Sequence, residues 1–340
     1  METVKIGVVG LGRLGKSHAE NLVFKTAGVD VTSACSIVQE ELDYARNIFG
    51  INDGYTDFDE FLKSSDIDAV WISSSTSMHA EQIIKSIAAG KHVFCEKPVA
   101  INVEDCLKVE AAAKTRPDLI VCIGFVRRYD PSYVYAKKQI DAGHIGTPFC
   151  VRSQSADMDK FAEFQVEFTK SSGGFFLDIM VHDIDLARWL LSSEIATGYA
   201  LGGCYKHKAF EQYQDADNAG AFFSMKNGTT AYLSGSRTMM HGHDTFTEVL
   251  GTEGVLTIGC NPRVNRVEIR DSHGVRNECV ETFYDRFEDA FLEEARDFIR
   301  CIVENEQPRV SVKDATENTR AAVAITDSYR KTQVVTINDY

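Results

Sequence analysis

The chain contains only six prolines in 340 residues, no Cys-x-x-Cys pair, and no repeat or low-complexity segment. Scarce proline and the absence of biased tracts exclude extended linkers and argue for compact domains. No apolar run approaches the ~18 residues that a membrane span needs, so no membrane partner is expected. Basic residues are in deficit: Lys and Arg total 36 against 50 Asp and Glu, a net charge of −14. An acidic surface repels phosphate backbones, which excludes nucleic acid as an expected partner. Met1-Glu2-Thr3 leads straight into a strand-like run, without a basic, apolar, small-residue leader, and the expectation is a cytoplasmic protein. Nine cysteines are scattered and odd in number, which predicts buried reduced thiols rather than disulfides or zinc.

What is present points to nucleotide chemistry. With 340 residues and 44% hydrophobic content, two domains with ordinary cores are expected. The β-branched run Val4-Lys5-Ile6-Gly7-Val8-Val9 feeds into Gly10-Leu11-Gly12-Arg13-Leu14-Gly15, and 16–24 reads as a helix. Gly10 permits the tight turn, Gly12 lets a pyrophosphate approach the backbone, and Gly15 lets the helix pack on the strand. Free N–H groups at the helix start favour the anion. Gly10, Gly12, Arg13 and Leu14 are therefore candidate dinucleotide contacts.

Strands and helices alternate over the first 125 residues, which predicts a doubly wound parallel sheet. After Phe125 strands dominate, with an Asn227-Gly228 hairpin turn, one amphipathic helix at 175–191, and helices again at 285–304 and 313–331. The expected fold is α/β: a dinucleotide-binding domain over 1–124, then an α+β domain over 125–340 with a large open, mostly antiparallel sheet.

Two constellations carry chemistry. Glu96-Lys97-Pro98 follows a strand predicted to be parallel, and ligands bind beyond the carboxyl ends of such strands. An ammonium there would stabilise the alkoxide that develops as a hydroxyl is oxidised. The second is Gly173-Gly174-Phe175-Phe176-Leu177-Asp178-Ile179-Met180-Val181-His182-Asp183-Ile184-Asp185. Asp178 and His182 are four apart and would share a helix face, with Asp185 following. His182 would serve as general base, with a carboxylate orienting it. Asp178, His182 and Asp185 are also metal-ligand types, but no further His/Cys cluster completes a site, and no metal is expected.

These motifs resemble the glucose–fructose oxidoreductase / inositol dehydrogenase / MocA family over nearly the whole chain. The resemblance implies a Rossmann domain, a second domain whose open sheet mediates dimers or tetramers, and Lys97, Asp178 and His182 as the catalytic trio. It also implies a cis Lys97–Pro98 peptide. Gly124-Phe125-Val126-Arg127-Arg128-Tyr129-Asp130-Pro131 looks most like the inositol 2-dehydrogenases, and would place Arg127 near cofactor and substrate. Ser73-Ser74-Ser75-Thr76-Ser77-Met78-His79 resembles the family loop over the cofactor, implicating Ser74, Thr76 and His79, with Glu96 and Lys97 beside them. Ser155 and Asp157 replace the family's His and Asn, and His241-Gly242-His243-Asp244 replaces a segment with a substrate-facing tyrosine. Asp157, Asp185 and His241 are thus candidate polyol contacts. The implied activity is oxidation of a secondary hydroxyl of a cyclic polyol, inositol first, with a pyranose dehydrogenase or a non-catalytic dinucleotide-binding regulator as alternatives. At the end of the second strand Ser36 stands where NAD enzymes carry a carboxylate, so NAD is favoured and NADP tolerated.

Overall fold

The computed structural model describes residues 3–259 and 263–340; Cys260, counted above among the thiols, and Met1 and Glu2 lie outside them. The chain divides into two compact units, Met1–Tyr129 with Asp289–Thr319, and Asp130–Glu288 with Arg320–Tyr340.

The first unit alternates strand and helix: β1 (Val4–Val9), α1 (Arg13–Glu20), β2 (Val29–Cys35), α2 (Gln39–Tyr44), β3 (Asp53–Tyr55), α3 (Phe58–Ser64), β4 (Ala69–Ile72), α4 (Thr76–Ala88), β5 (His92–Glu96), α5 (Val103–Thr115) and β6 (Val121–Gly124). The six strands are parallel in the order β3-β2-β1-β4-β5-β6. Order reverses at β1, the crevice where such sheets bind ligands. Helix starts are set locally: Asp57 accepts from the Glu60 N–H and Asn102 from the Asp105 N–H, both at 2.8 Å. Gly90, at φ +75°, ends α4 in the left-handed region as the sequence suggests.

Val4, Ile6 and Val8 of β1 join Trp71 and Phe94 in one core. The Trp71 and Phe94 rings stack at 3.6 Å, and Phe298 meets both edge-on near 5.8 and 5.9 Å. Ala295, Ile299 and Cys301 pack there too. A single boundary at 124/125 therefore does not describe the chain, because 289–319 returns to the first unit. The apolar stripe of a late helix does not say which sheet it covers. Phe298→Ala would cost about 3–5 kcal/mol through the cavity left.

The second unit holds α6 (Pro131–Asp141), β7 (Pro148–Met158), α7 (Ala162–Ser172), α8 (Phe175–Asp178), α9 (Val181–Leu191), β8 (Ile195–Gly203), β9 (Asn218–Met225), β10 (Thr230–Met239), β11 (Asp244–Gly251) and β12 (Val255–Gly259). A small hairpin follows, β13 (Ile269–Asp271) and β14 (Gly274–Arg276), and β15 (Val335–Thr336) ends the unit; α10 (Phe283–Glu304) belongs to the first unit from 289 on, and α11 (Val312–Lys331) belongs to it up to 319. Its main sheet runs β12-β11-β7-β10-β9-β8-β15, with only β7 and β10 parallel. Gly228, at φ +86°, makes the expected turn between β9 and β10.

Two elements differ from the sequence reading. Helix α7 was not expected, because Phe164, Val166 and Phe168 alternate like a strand. Its buried positions are instead Ala162, Gln165, Thr169 and Ser172, spaced as one helical face but small or polar. The helix expected at 175–191 is two, α8 and α9, interrupted at Ile179 and Met180.

Candidate active site

In the first unit the glycine turn is built as a cradle. Gly10 has φ +80°, and a Cβ on it would stand 2.6 Å from the Ser74 backbone. A Cβ on Gly15 would stand 2.0 Å from the Gly10 carbonyl oxygen, so only glycine lets α1 approach β1. At Gly12 a Cβ would meet nothing nearer than Glu41 Oε1 at 3.9 Å. Gly12 is the exposed cap of α1 and lends its N–H groups no side-chain partner. Open space, free donors and a helix start suit a pyrophosphate. Arg13 is exposed and Leu14 half-buried on the same turn.

The loop after β4 closes over this turn. Ser73 Oγ donates to the Gly10 carbonyl at 3.0 Å, and Ser74 Oγ to Gln82 Oε1 at 2.5 Å. Helix α4 begins at Thr76, which is buried, with Ser75 as its cap. His79 is buried, with Nδ1 2.8 Å from the Pro98 carbonyl and Nε2 3.0 Å from the Ser74 carbonyl. Burial pushes its pKa down against the pull of those two carbonyls. The ring thus lies between the serine loop and the Glu96-Lys97-Pro98 turn, and when neutral it donates to one of the two carbonyls.

That turn sits at the carboxyl end of β5, and Lys97–Pro98 is cis. The Lys97 N–H donates to Glu96 Oε2 at 3.1 Å, and Lys97 itself is half-buried. Glu96 Oε1 lies 2.8 Å from His18 Nε2 of α1. Glu294 joins them, and the three groups bring ligand-type atoms within 4.8 Å of one another. Neither Glu294 oxygen has a hydrogen-bond partner among the described residues. Burial, with the carboxylates of Glu96 and Asp297 nearby, holds the Glu294 carboxyl well above its usual range. Arg127 lies in a short 3₁₀ turn just after β6 and is buried.

Ser36, at the end of β2, donates its hydroxyl to Glu41 Oε2 at 2.6 Å. Glu41 is a carboxylate that the sequence reading did not single out. It lies in the first turn of α2 and not at the strand end, where such a group is normally sought.

In the second unit a buried network places Asp178. Gly173 and Gly174, at φ +84° and +91°, turn the chain from α7 into α8. Asp215 accepts the Phe175 N–H at 2.9 Å and Arg237 NH1 at 2.8 Å. The Arg237 guanidinium is fully buried, 4.4 Å from the Phe210 ring centroid and 5.2 Å from that of Phe175. Its NH2 lies 3.9 Å from Asp178 Oδ2. Asp178 and His182 are both half-buried, on α8 and α9. Neither Asp215 nor Arg237 has a motif that sequence reasoning could have used.

Other candidates fall differently. Asp183 is locked inside, accepting from Ser153 Oγ at 2.5 Å and from Ser155 Oγ. Asp185 is 1% exposed and stands 3.9 Å from Arg188 NH1. Asp157 Oδ1 is 2.9 Å from His243 Nδ1, and Oδ2 accepts from Gln165 Nε2 at 2.7 Å. His241 is exposed and pairs with Asp244 at 3.3 Å. The structure therefore joins His243, and not His241, to Asp157. Alternation along the strand from 244 puts 243 and 245 on one face, a signal the sequence reading passed over.

Among the described residues eight cysteines are free; all of these but Cys279 are buried, and burial pushes Cys35 up to about 12.

Residues 4–125 match the family described as "Oxidoreductase family, NAD-binding Rossmann fold", and residues 133–257 match the "GFO/IDH/MocA C-terminal domain". The chain is 36% identical to the scyllo-inositol 2-dehydrogenase (NAD(+)) of Bacillus subtilis, covering 96% of this chain and 94% of that one. It is 34% identical to the myo-inositol 2-dehydrogenase of Thermotoga maritima over 92% of each chain. A solved structure of scyllo-inositol dehydrogenase from Lactobacillus casei, with bound NAD(H) and scyllo-inositol, superposes with a TM-score of 0.96 at 35% identity, covering 99% of this chain and all of that one. With a glycine cradle on β1, Lys97 at the end of β5 and relatives matched over nearly their full length, this chain belongs to the GFO/IDH/MocA family of NAD-binding oxidoreductases.

Proposed function

We propose that the protein oxidises one secondary hydroxyl of a cyclic polyol, scyllo- or myo-inositol, to the corresponding inosose, using NAD. The observation that carries this is the pairing, in one parallel sheet, of the Gly10–Gly15 cradle with Lys97 at the carboxyl end of β5. The relatives named above act on inositols by their names, and the Lactobacillus casei structure holds scyllo-inositol beside NAD(H).

NAD supplies the hydride acceptor. Gly10, Gly12, Arg13 and Leu14 hold its pyrophosphate, with Ser74, Thr76, His79, Glu96 and Arg127 as further contacts. Lys97 donates to the reacting hydroxyl and stabilises negative charge as its proton leaves; a positioned cation is worth most in a water-poor site. His182 takes that proton, and Asp178 orients the pair. Arg237 is a positioning residue, acting through Asp178. Asp157 and His243 accept from other ring hydroxyls, each of which carries one O–H donor.

Exposed apolar residues lie together on the second sheet. Phe222 is 60% exposed and Tyr232 40%, with ring centroids 4.5 Å apart, and Leu201 stands on the neighbouring strand. We assign this face to a homo-oligomer, a dimer or tetramer. Free cysteines favour a reducing compartment, the cytoplasm. No helix among the described residues is long and apolar enough to cross a membrane.

The test is a polyol panel (scyllo-, myo- and chiro-inositol, glucose, xylose) with NAD, read as reduced-nicotinamide absorbance. Turnover of an inositol above the two sugars supports the reading. Preferred turnover of glucose or xylose overturns it.

A further inference from the structure

We propose that Glu41, reaching in from α2, reads the adenine ribose and selects NAD against NADP. This rests on the NAD reading above and goes beyond it. NAD enzymes of this fold normally carry a carboxylate at the end of the second strand, where it takes the ribose hydroxyls and repels a 2′-phosphate. Ser36 occupies that place, and by itself it would leave NADP unopposed.

The structure supplies the missing charge from another element. Glu41 Oε2 accepts from Ser36 Oγ at 2.6 Å and from the Leu11 N–H at 3.1 Å. Leu11 lies between Gly10 and Gly12. Glu41 Oε1 faces the open side of Gly12, 3.9 Å from where a Cβ would stand. The carboxylate thus bridges the glycine turn and the end of β2, the two places between which an adenosine ribose is held. Ser36 acts as its clamp, since Ser36 Oγ also accepts the Val38 N–H at 3.1 Å.

Two further observations fit a nucleoside. No Lys or Arg among the described residues pairs with Glu41, so its charge is available to repel a phosphate. Beside it Ile37 is 90% exposed and Val38 41%, apolar surface next to a polar group, as an adenine–ribose unit needs. Vicinal hydroxyls are donors that a carboxylate takes in pairs, whereas a 2′-phosphate brings like charge to the same spot.

The test is equilibrium binding of NADH and NADPH, by nicotinamide fluorescence and calorimetry, to wild type, Glu41→Gln, Glu41→Ala and Ser36→Ala. Thermal melting checks that each variant folds. Wild type should bind NADH at least about 30-fold tighter than NADPH. Either Glu41 variant should lower that ratio by about 10- to 100-fold, the worth of a charged hydrogen bond or a removed repulsion. Ser36→Ala, which keeps the carboxylate, should retain more than half of the preference on a logarithmic scale. A ratio unmoved in both folded Glu41 variants, or a wild type that binds the two alike, overturns the assignment while leaving the NAD reading intact. A wild type that binds neither nucleotide overturns both.

Discussion

Asp157 and His243 hold each other in the second unit, carboxylate to ring nitrogen at 2.9 Å, with Gln165 fixing the other carboxylate oxygen. His243 is buried and its Nε2 has no hydrogen-bond partner among the described residues. Asp157 holds Nδ1, which leaves Nε2 as the ring atom proposed to meet a polyol hydroxyl. His243→Phe should therefore raise KM for the polyol, a loss of about 1–2 kcal/mol in kcat/KM, typical of one hydrogen bond. His241→Ala, at an exposed site, should stay within about twofold in steady-state kinetics. The reverse ranking would contradict the placement.

Lys97 touches the reacting hydroxyl in this account. Lys97→Met should lower kcat by about 3 kcal/mol or more in barrier, with NADH affinity nearly unchanged in a fluorescence titration. Near-normal kcat would remove Lys97 from the mechanism.

Arg237 supports two carboxylates from a fully buried position. Arg237→Met leaves Asp215 buried without its cation, and should destabilise the fold by about 3–5 kcal/mol in urea titrations. Arg237→Lys keeps the charge but loses the planar fork. It should fold, and show a kcat loss exceeding any change in KM, because only Asp178 is displaced. Equal effects on both constants would point to a merely structural role.

Glu294 makes a pH prediction. Its native pKa is raised above the unfolded value of about 4.3 by burial and two neighbouring carboxylates. A raised acid gives its full contribution below the unfolded pKa and loses it as pH climbs through the native one. Glu294→Gln stays neutral throughout. Relative to wild type it should gain stability as pH rises above the unfolded pKa and through the native one, read in denaturant midpoints. A difference independent of pH would mean the native carboxyl titrates normally.

The first unit was legible because its signals are local. Val4–Gly15 carries strand, turn and helix in twelve consecutive residues, and the parallel alternation follows from spacing alone. The Asn227-Gly228 hairpin was legible for the same reason. What stayed hidden depends on partners far apart in the chain. Glu41 finds Leu11 thirty residues away, Arg237 finds Asp215 and Asp178 from another strand, and Phe298 returns to Trp71. Helix α7 was missed because its buried face is polar and its apolar residues alternate. Long-range pairing of this kind leaves no period in the sequence.

In the proposed reaction a polyol C–H becomes the hydride of reduced nicotinamide, with Lys97 and His182 handling the hydroxyl proton. Its most direct test is incubation of the enzyme with NAD and ring-deuterated scyllo- or myo-inositol, with mass spectrometry of the recovered nucleotide. One deuterium per reduced nicotinamide is expected, formed at least about 100-fold more slowly by Lys97→Met or His182→Asn. Reduced nucleotide without deuterium, or its formation by either variant at the wild-type rate, would overturn that reaction.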